Sequence, residues 1–191
     1  MAGCEDVALV RSEVLLEAGE RVRPVHFPPS GFVSLLPPVD SGVRLEVGLI
    51  GNEGMVGTPL VLGVAYSPVQ AIVQGPGRSL RMGAAAFERE VARSPGLKAR
   101  LARYLFVRMT QLGLAAGCTR YHLVEARLAR WLLMTQDRAR SPAFHVTHEF
   151  LATMLGVRRA GVAQAARSVL ARGLIRYRRG DVVVTDRPGL E

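Results

Sequence analysis

The residues of this chain best equipped for chemistry are arginines crowded near its C-terminal end: Arg158, Arg159, Arg167, Arg178 and Arg179, with Gln164 among them and Thr147 just ahead. A guanidinium carries its N–H donors in a planar fork, so it grips a phosphate or a guanine edge with two hydrogen bonds where an ammonium offers a point charge. Every positive charge from residue 120 onward is arginine. That segment holds 13 basic and 6 acidic residues, a balance of +7, against 12 and 10, or +2, over residues 1–119, so the net +9 is concentrated at one end. This distribution predicts non-covalent recognition of a polyanion by the C-terminal part. Ribosomal or membrane-surface binding would need similar charge, so the elements that carry it must decide.

Those elements are two short helices and a hairpin. Thr147 can accept from the amides that open a helix, Glu149 suits the positive end of its dipole, and Phe150, Leu151, Met154 and Leu155 give it an apolar side, predicting a helix over His148–Leu155. Gly156 permits a sharp turn, Val157 anchors it, and a second helix is expected to run to Arg172, with Gly173 ending it. This is helix-turn-helix spacing. Val162, Ala165, Ala166, Val169 and Leu170 fall on one face of the second helix. Its outer ridge is then Ala160, Gln164, Arg167 and Ala171, flanked by Gly161 and Ser168. Leu174–Arg178 reads as a strand, Arg179, Gly180 and Asp181 as a turn, and Val182–Thr185 as the return strand, together a basic wing.

Upstream, residues 7–82 alternate short β-prone segments with turn signals. Strands are expected at Val14–Leu16, Val22–Phe27, Phe32–Leu36, Val43–Leu49, Gln70–Gln74 and Ser79–Met82, separated at Ala18–Glu20, Pro28–Gly31, Pro37–Gly42 and Gly75–Gly77. That is the punctuation of a small antiparallel barrel or jelly roll. Gly48, Gly51, Gly54 and Gly57 recur at every third position, but no Gly-Lys-Ser/Thr follows, so they read as turn and bulge glycines rather than a phosphate loop. Ala84–Arg93 is a helix, and a longer one follows over Gly96–Ala116, about 30 Å at 1.5 Å per residue. It sets Leu101, Leu105, Met109, Leu112 and Ala116 near a coiled-coil spacing, either packed on its own domain or seamed to a second copy. Gly117, Cys118 and Thr119 are expected to break it as a hinge, and Leu123–Arg138 forms another helix with Trp131 and Leu132 buried. Arg127, Arg130, Arg138 and Arg140 read as a solvated face.

Taken together, these features resemble the cyclic-AMP receptor and fumarate-nitrate regulator (Crp/Fnr) superfamily of bacterial transcription factors over almost the whole chain. The resemblance is carried by Phe27-Pro28-Pro29-Ser30-Gly31-Phe32-Val33-Ser34-Leu35, by Ile50-Gly51-Asn52-Glu53-Gly54-Met55-Val56-Gly57, and by Glu149 through Arg159. It implies an α+β chain: a β jelly-roll sensor of the cyclic-nucleotide-binding type over residues 1–94, a long dimerisation helix and hinge over 95–119, and a winged helix-turn-helix over 120–191. It implies a homodimer on double-stranded DNA with half-sites about 34 Å apart, and RNA polymerase as a partner. At the recognition positions stand Arg159, Ala160 and Gln164, with Arg159 suited to guanine and Gln164 to adenine. Thr147, Arg158, Arg178 and Arg179 are matched to phosphates, and Arg158 takes the place of a normal helix cap.

The effector positions depart from the pattern. Aligned on Gly57, the ribose-binding glutamate becomes Thr58, and the phosphate-gripping Arg-Ser pair falls on Ser67 and Pro68, or on Pro68 and Val69 without a gap. Lacking that arginine, the barrel is not expected to bind cyclic AMP in the usual way; it binds another small molecule or none. Cys4 and Cys118 are too few for a cysteine-ligated iron-sulfur cluster, and a haem ligand would have to come from His26, His122, His145 or His148. No cofactor is expected. A small-barrel metal-dependent oxygenase would need two closely spaced histidines and a carboxylate, yet residues 1–119 contain only His26, so no enzyme is expected. A protein-binding winged helix would expose an apolar face rather than arginines. Acidic Glu5 and Asp6 near the start, with no apolar run approaching about 18 residues, predict a cytoplasmic protein without a membrane partner.

Overall fold

The computed structural model describes residues 3–38 and 45–191. The chain divides into two units, one of Met1–Pro38 with Val47–Leu114, the other of Ala115–Glu191 with the short piece Val39–Glu46.

The first unit is an antiparallel roll. Strands β1 (Glu5–Leu9), β2 (Val14–Leu16), β3 (Pro24–Leu36), β4 (Gly48–Ile50) and β5 (Gln70–Gly83) form one sheet in the order β1-β5-β3-β4, with β2 also pairing β5. Two expected turns are absorbed into strands. Pro28–Gly31 and Gly75–Gly77 were expected to end strands, but β3 and β5 run on through both and pair with each other, shifting register between Phe27 and Val33. Proline has no N–H for the ladder, so the shift falls where neither Pro28, Pro29 nor Pro76 has a partner. Gly75 gives up its side-chain space to the ring of Phe32. Strand β1, on the edge, was not expected, and of the strand proposed for Val43–Leu49 only Gly48–Leu49 is in β4; residues 43 and 44 lie outside the described residues. The core joins Val22, Val25, Val33, Ile50, Met55 and Val73 to Phe87 of α1 (Ala84–Arg93) and to Leu101 of α2 (Pro95–Tyr121).

Helix α2 corrects two expectations. It does not break at Gly117–Thr119 but continues to Tyr121, the His122 N–H still bonding the Cys118 carbonyl at 3.1 Å. A helical glycine costs about 1 kcal/mol relative to alanine, too little to stop a long helix by itself. The break comes at Leu123, whose backbone is extended (φ −62°, ψ 157°). Leu101 does not belong to an exposed seam: it is 6 % exposed, packed into its own roll. Leu105 is half-buried, while Met109 (70 %), Leu112 (42 %) and Ala116 are exposed, together with Phe106, Val107 and Leu114.

The glycine series has two uses. Gly57 takes φ 96° at the start of a short 3-10 helix, Thr58–Leu62. Gly48 and Gly54 instead make room: the guanidinium of Arg108 and the phenol of Tyr104, both from α2, fill the places their side chains would take.

The second unit begins its separate fold with α3 (Val124–Ala139), followed by β6 (Ala143–His145), α4 (His148–Leu155), α5 (Arg159–Ala171), β7 (Ile175–Arg178), β8 (Asp181–Val184) and α6 (Arg187–Leu190). The wing is a three-stranded sheet, β6-β8-β7, of which β6 was not expected. Trp131 of α3 is buried with Phe144 and Phe150 edge-on to its ring at centroid distances of 6.4 and 6.1 Å. Arg127 is not part of a solvated face; it is 8 % exposed and donates to the Leu155 carbonyl at the end of α4, one of the orphan acceptors a helix C-terminus leaves. Leu170, assigned to the apolar face of α5, is 45 % exposed, because it sits at the margin of a face that Val162, Ala165, Ala166 and Val169 already fill.

Candidate nucleic-acid interface

The turn between α4 and α5 is built as its residues require. The Thr147 hydroxyl accepts the Phe150 N–H at 3.1 Å, closing the start of α4. Gly156 ends the helix with φ 61°, and the N–H groups of Gly156 and Val157 return to the Thr153 and Ala152 carbonyls at 3.2 and 3.0 Å. Arg158 follows in extended conformation and opens α5 without a side-chain cap. At the far end Gly173, at φ 73°, donates to the Leu170 carbonyl at 2.9 Å.

This frame presents one polar ridge. Arg158, Arg159, Ala160, Gln164 and Arg167 are exposed along α5, Thr147 is exposed at the mouth of α4, and Gly161 is half-buried with open space where a side chain would project. Glu125 of α3 steadies the opposite end of α5, pairing with Arg172 at 3.1 Å; the Ser168 hydroxyl and then Arg172 hold its carboxyl below the usual range. On the wing, Arg178 and Arg179 are exposed as expected, and Arg176, omitted from the expected contacts, shares the outward face with Arg178.

The wing tip has a defined shape. Arg179 and Gly180 both have positive φ, 50° and 92°, the pattern of a tight hairpin turn. His145 of β6 reaches Asp181 of β8 at 2.9 Å, and its ring packs where a side chain on Gly180 would stand.

The joint between ridge and wing has no counterpart among the residues expected from the sequence. His148, the first residue of α4, stacks on Tyr177 of β7 with ring centroids 4.7 Å apart and planes 21° from parallel. The Tyr177 hydroxyl donates to the Val146 carbonyl at 2.9 Å. Burial, then the charges of Arg159 and Arg167, hold the His148 imidazole below its ordinary pKa. A histidine and a tyrosine separated by 29 positions carry no periodic signal, and only the unpredicted β6 strand makes their meeting evident.

The effector positions inferred from the resemblance lie about the short 3-10 helix and the turn that leads into β5. Gly57 is buried, with the Val25 side chain 2.9 Å from where a Cβ would stand. Thr58 begins the 3-10 helix and Pro68 is exposed. Ser67 is buried with its hydroxyl donating to the Val69 carbonyl at 2.6 Å and its N–H to the Glu20 carbonyl at 2.9 Å, bracketing the turn. His26 lies in the core sheet, its Nδ1 3.4 Å from the Ser79 hydroxyl, and burial followed by Arg81 lowers its pKa. Cys4 and Cys118 are free thiols. Among the described residues no group of three His, Cys, Asp or Glu side chains is placed to hold a metal ion, and no helix is long and apolar enough to cross a membrane.

A capped helix, a glycine turn, an exposed basic second helix and a basic three-stranded wing define a winged helix-turn-helix. Residues 126–191 match the family described as the Crp-like helix-turn-helix domain. Solved structures extend the likeness to the whole fold. FixK2 of Bradyrhizobium japonicum superposes with TM-score 0.82 at 13 % identity, over 98 % of this chain and 95 % of that one. A CRP-family transcriptional regulator of Thermus thermophilus gives 0.78 at 21 %, over 97 % and 94 %. The c-di-GMP-responsive global regulator CLP of Xanthomonas campestris gives 0.77 at 17 %, over 96 % and 94 %. No curated protein matches in sequence. Residues 126–191 are thus a Crp-like helix-turn-helix domain, and the chain as a whole has the fold of Crp/Fnr transcription regulators.

Proposed function

We propose that the chain acts as a homodimer in the cytoplasm and reads specific double-stranded DNA sites, with Arg159 and Gln164 facing base edges and Thr147, Arg158, Arg167, Arg178 and Arg179 on the phosphate backbone. The observation that carries this reading is the ridge of α5: its long polar side chains stand exposed beside a basic wing, with Gly161 and Ala160 leaving room for close approach. RNA polymerase is the partner a transcription regulator requires. Catalysis has no part in this reading.

The exposed apolar side chains Phe106, Met109, Leu112 and Leu114 on α2 support dimerisation along this helix, with Leu105 and Ala116 at its margins and Leu101 reserved for the roll. Two-fold pairing would set the recognition helices on half-sites about one helical turn, roughly 34 Å, apart. The first unit serves as the sensor. It does not take cyclic AMP in the usual manner, since Thr58, Ser67 and Pro68 supply no countercharge for a cyclic phosphate.

In vitro selection of bound DNA from a random pool tests the reading. A palindromic consensus with half-sites one turn apart is expected, bound with a steep inverse dependence on salt; sequence-independent enrichment would overturn specific readout, and sedimentation as a monomer at micromolar concentration would overturn the dimer. Calorimetric titration with cyclic AMP is expected to show no tight binding.

A further inference from the structure

We propose that the sensor roll holds a small-molecule site that takes an amphipathic monocarboxylate, its apolar body lying in a cleft of about 370 Å3 and its carboxylate on Arg100. The site is separate from Gly57, Thr58, Ser67 and Pro68, none of which lines this cleft. The proposal rests on the sensor reading of the first unit and gives that reading a chemical class of ligand.

The floor is apolar: Phe27 and Pro28 from β3, Met55 from the segment after β4, Leu80 from β5 and Leu101 from α2. Such a floor leaves the hydroxyls of a sugar or the oxygens of a polyphosphate without partners, a cost that favours a hydrocarbon or aromatic body. The volume falls in the roughly 300–1,000 Å3 range of small-molecule clefts.

The polar residues of the lining are Asn52, Glu53, Arg100 and Tyr104, and Arg100 is the one cation among them. Tyr104 is already engaged, accepting the Met55 N–H at 3.3 Å and donating to the Met55 carbonyl at 3.5 Å. Glu53 accepts the Gly51 N–H at 3.2 Å and so braces its own loop. Arg100 is exposed on α2 and makes no hydrogen bond or ion pair among the described residues. Its fork can hold one carboxylate with two charge-assisted bonds at the edge of an apolar wall, where water competes less. The Glu53 carboxylate on the same rim opposes a second negative charge, which selects a monoanion over a dicarboxylate or a phosphate ester.

The test is calorimetric titration of the full chain with octanoate, below its micelle concentration, and with phenylbutyrate, using octan-1-ol as the neutral counterpart. One saturable site per protomer is expected for both carboxylates. Arg100→Gln, at an exposed position, should melt like the parent while weakening both carboxylates by roughly tenfold or more and leaving octan-1-ol unchanged. Leu80→Trp, which fills the cleft, should abolish binding of all three. Absence of saturable binding by either carboxylate overturns the proposal, as does an Arg100→Gln affinity equal to the parent's or unaltered binding to a folded Leu80→Trp. The two levels separate in a DNA titration: carboxylate binding that leaves DNA affinity unmoved overturns the sensor role and keeps the site, whereas failure of the site leaves the DNA-reading function standing.

Discussion

Gln164→Ala isolates base reading from folding. The Gln164 side chain is exposed at the middle of the α5 ridge and bonds to no other described residue, so its removal should change stability by no more than about 0.5 kcal/mol and leave the melting temperature in place. A bidentate glutamine–adenine pair discriminates by about 1 to 3 kcal/mol, and a two-fold dimer makes it twice, so the preference for the cognate palindrome over one changed in both half-sites is roughly 30-fold at the low end and more than about 10,000-fold at the high end. Fluorescence anisotropy on the selected site, and on a set of sites changed one base pair per half-site, measures it at one fixed salt concentration. In the parent one position should show this preference. In Gln164→Ala the preference at that position should collapse while the others keep theirs, a coupling visible only in the cross between protein variant and DNA variant. Equal weakening on every sequence would refute the reasoning and return Gln164 to the phosphate-facing class.

Arg178→Ala should behave oppositely, weakening all sites alike and reducing the log–log salt slope by about 0.9 for each phosphate it no longer neutralises, or about 1.8 per dimer, in the same anisotropy assay. Leu101 and Leu112 should divide by role: Leu101→Ala is expected to cost roughly 2 to 5 kcal/mol of stability in denaturant unfolding, whereas Leu112→Asp should leave the roll folded and shift sedimentation toward monomer. Gly180→Ala places a side chain against the His145 ring at φ 92°; a loss of about 1 kcal/mol or more in reader stability and weaker, salt-sensitive DNA binding are expected, and an unchanged melting curve would contradict this account of the wing tip. The pKa values of His26 and His148 are both lowered by burial, so the unfolded chain takes up protons first as pH drops below the ordinary 6.5. Their contribution is complete above that value and is lost on the acid side; urea midpoints should fall toward about pH 5.5, less steeply in His26→Asn, and a rise would invert the assigned sign.

Local chemistry made the reader legible: Thr147, Gly156 and Gly173 act through their own backbone, and the structure puts α4 at His148–Leu155 as their spacing requires. The roll was harder because Pro28–Gly31 and Gly75–Gly77 are turn signals in isolation, and only their pairing with each other turns them into bulges inside long strands. Arg127 shows the same limit. A lone arginine between apolar residues looks solvated until the open carbonyl of Leu155, 28 positions away, is brought beside it. At Ser67, one of the effector positions inferred from the resemblance, the hydroxyl is spent on the Val69 carbonyl of its own loop, a contact that the residue type alone does not announce.

The slots at Gly48 and Gly54 restrict how the long helix can respond to events in the roll. Tyr104 and Arg108 enter the spaces above two glycines from positions one turn apart, so α2 is pinned to the roll at two successive studs. Sliding the helix along its axis would require withdrawing both side chains together, whereas a small tilt about the studs keeps them seated. A replacement as small as alanine at either glycine would force its stud to shift, and at Gly54, whose stud is the uncharged Tyr104, it would loosen α2 from the roll without displacing a charged group.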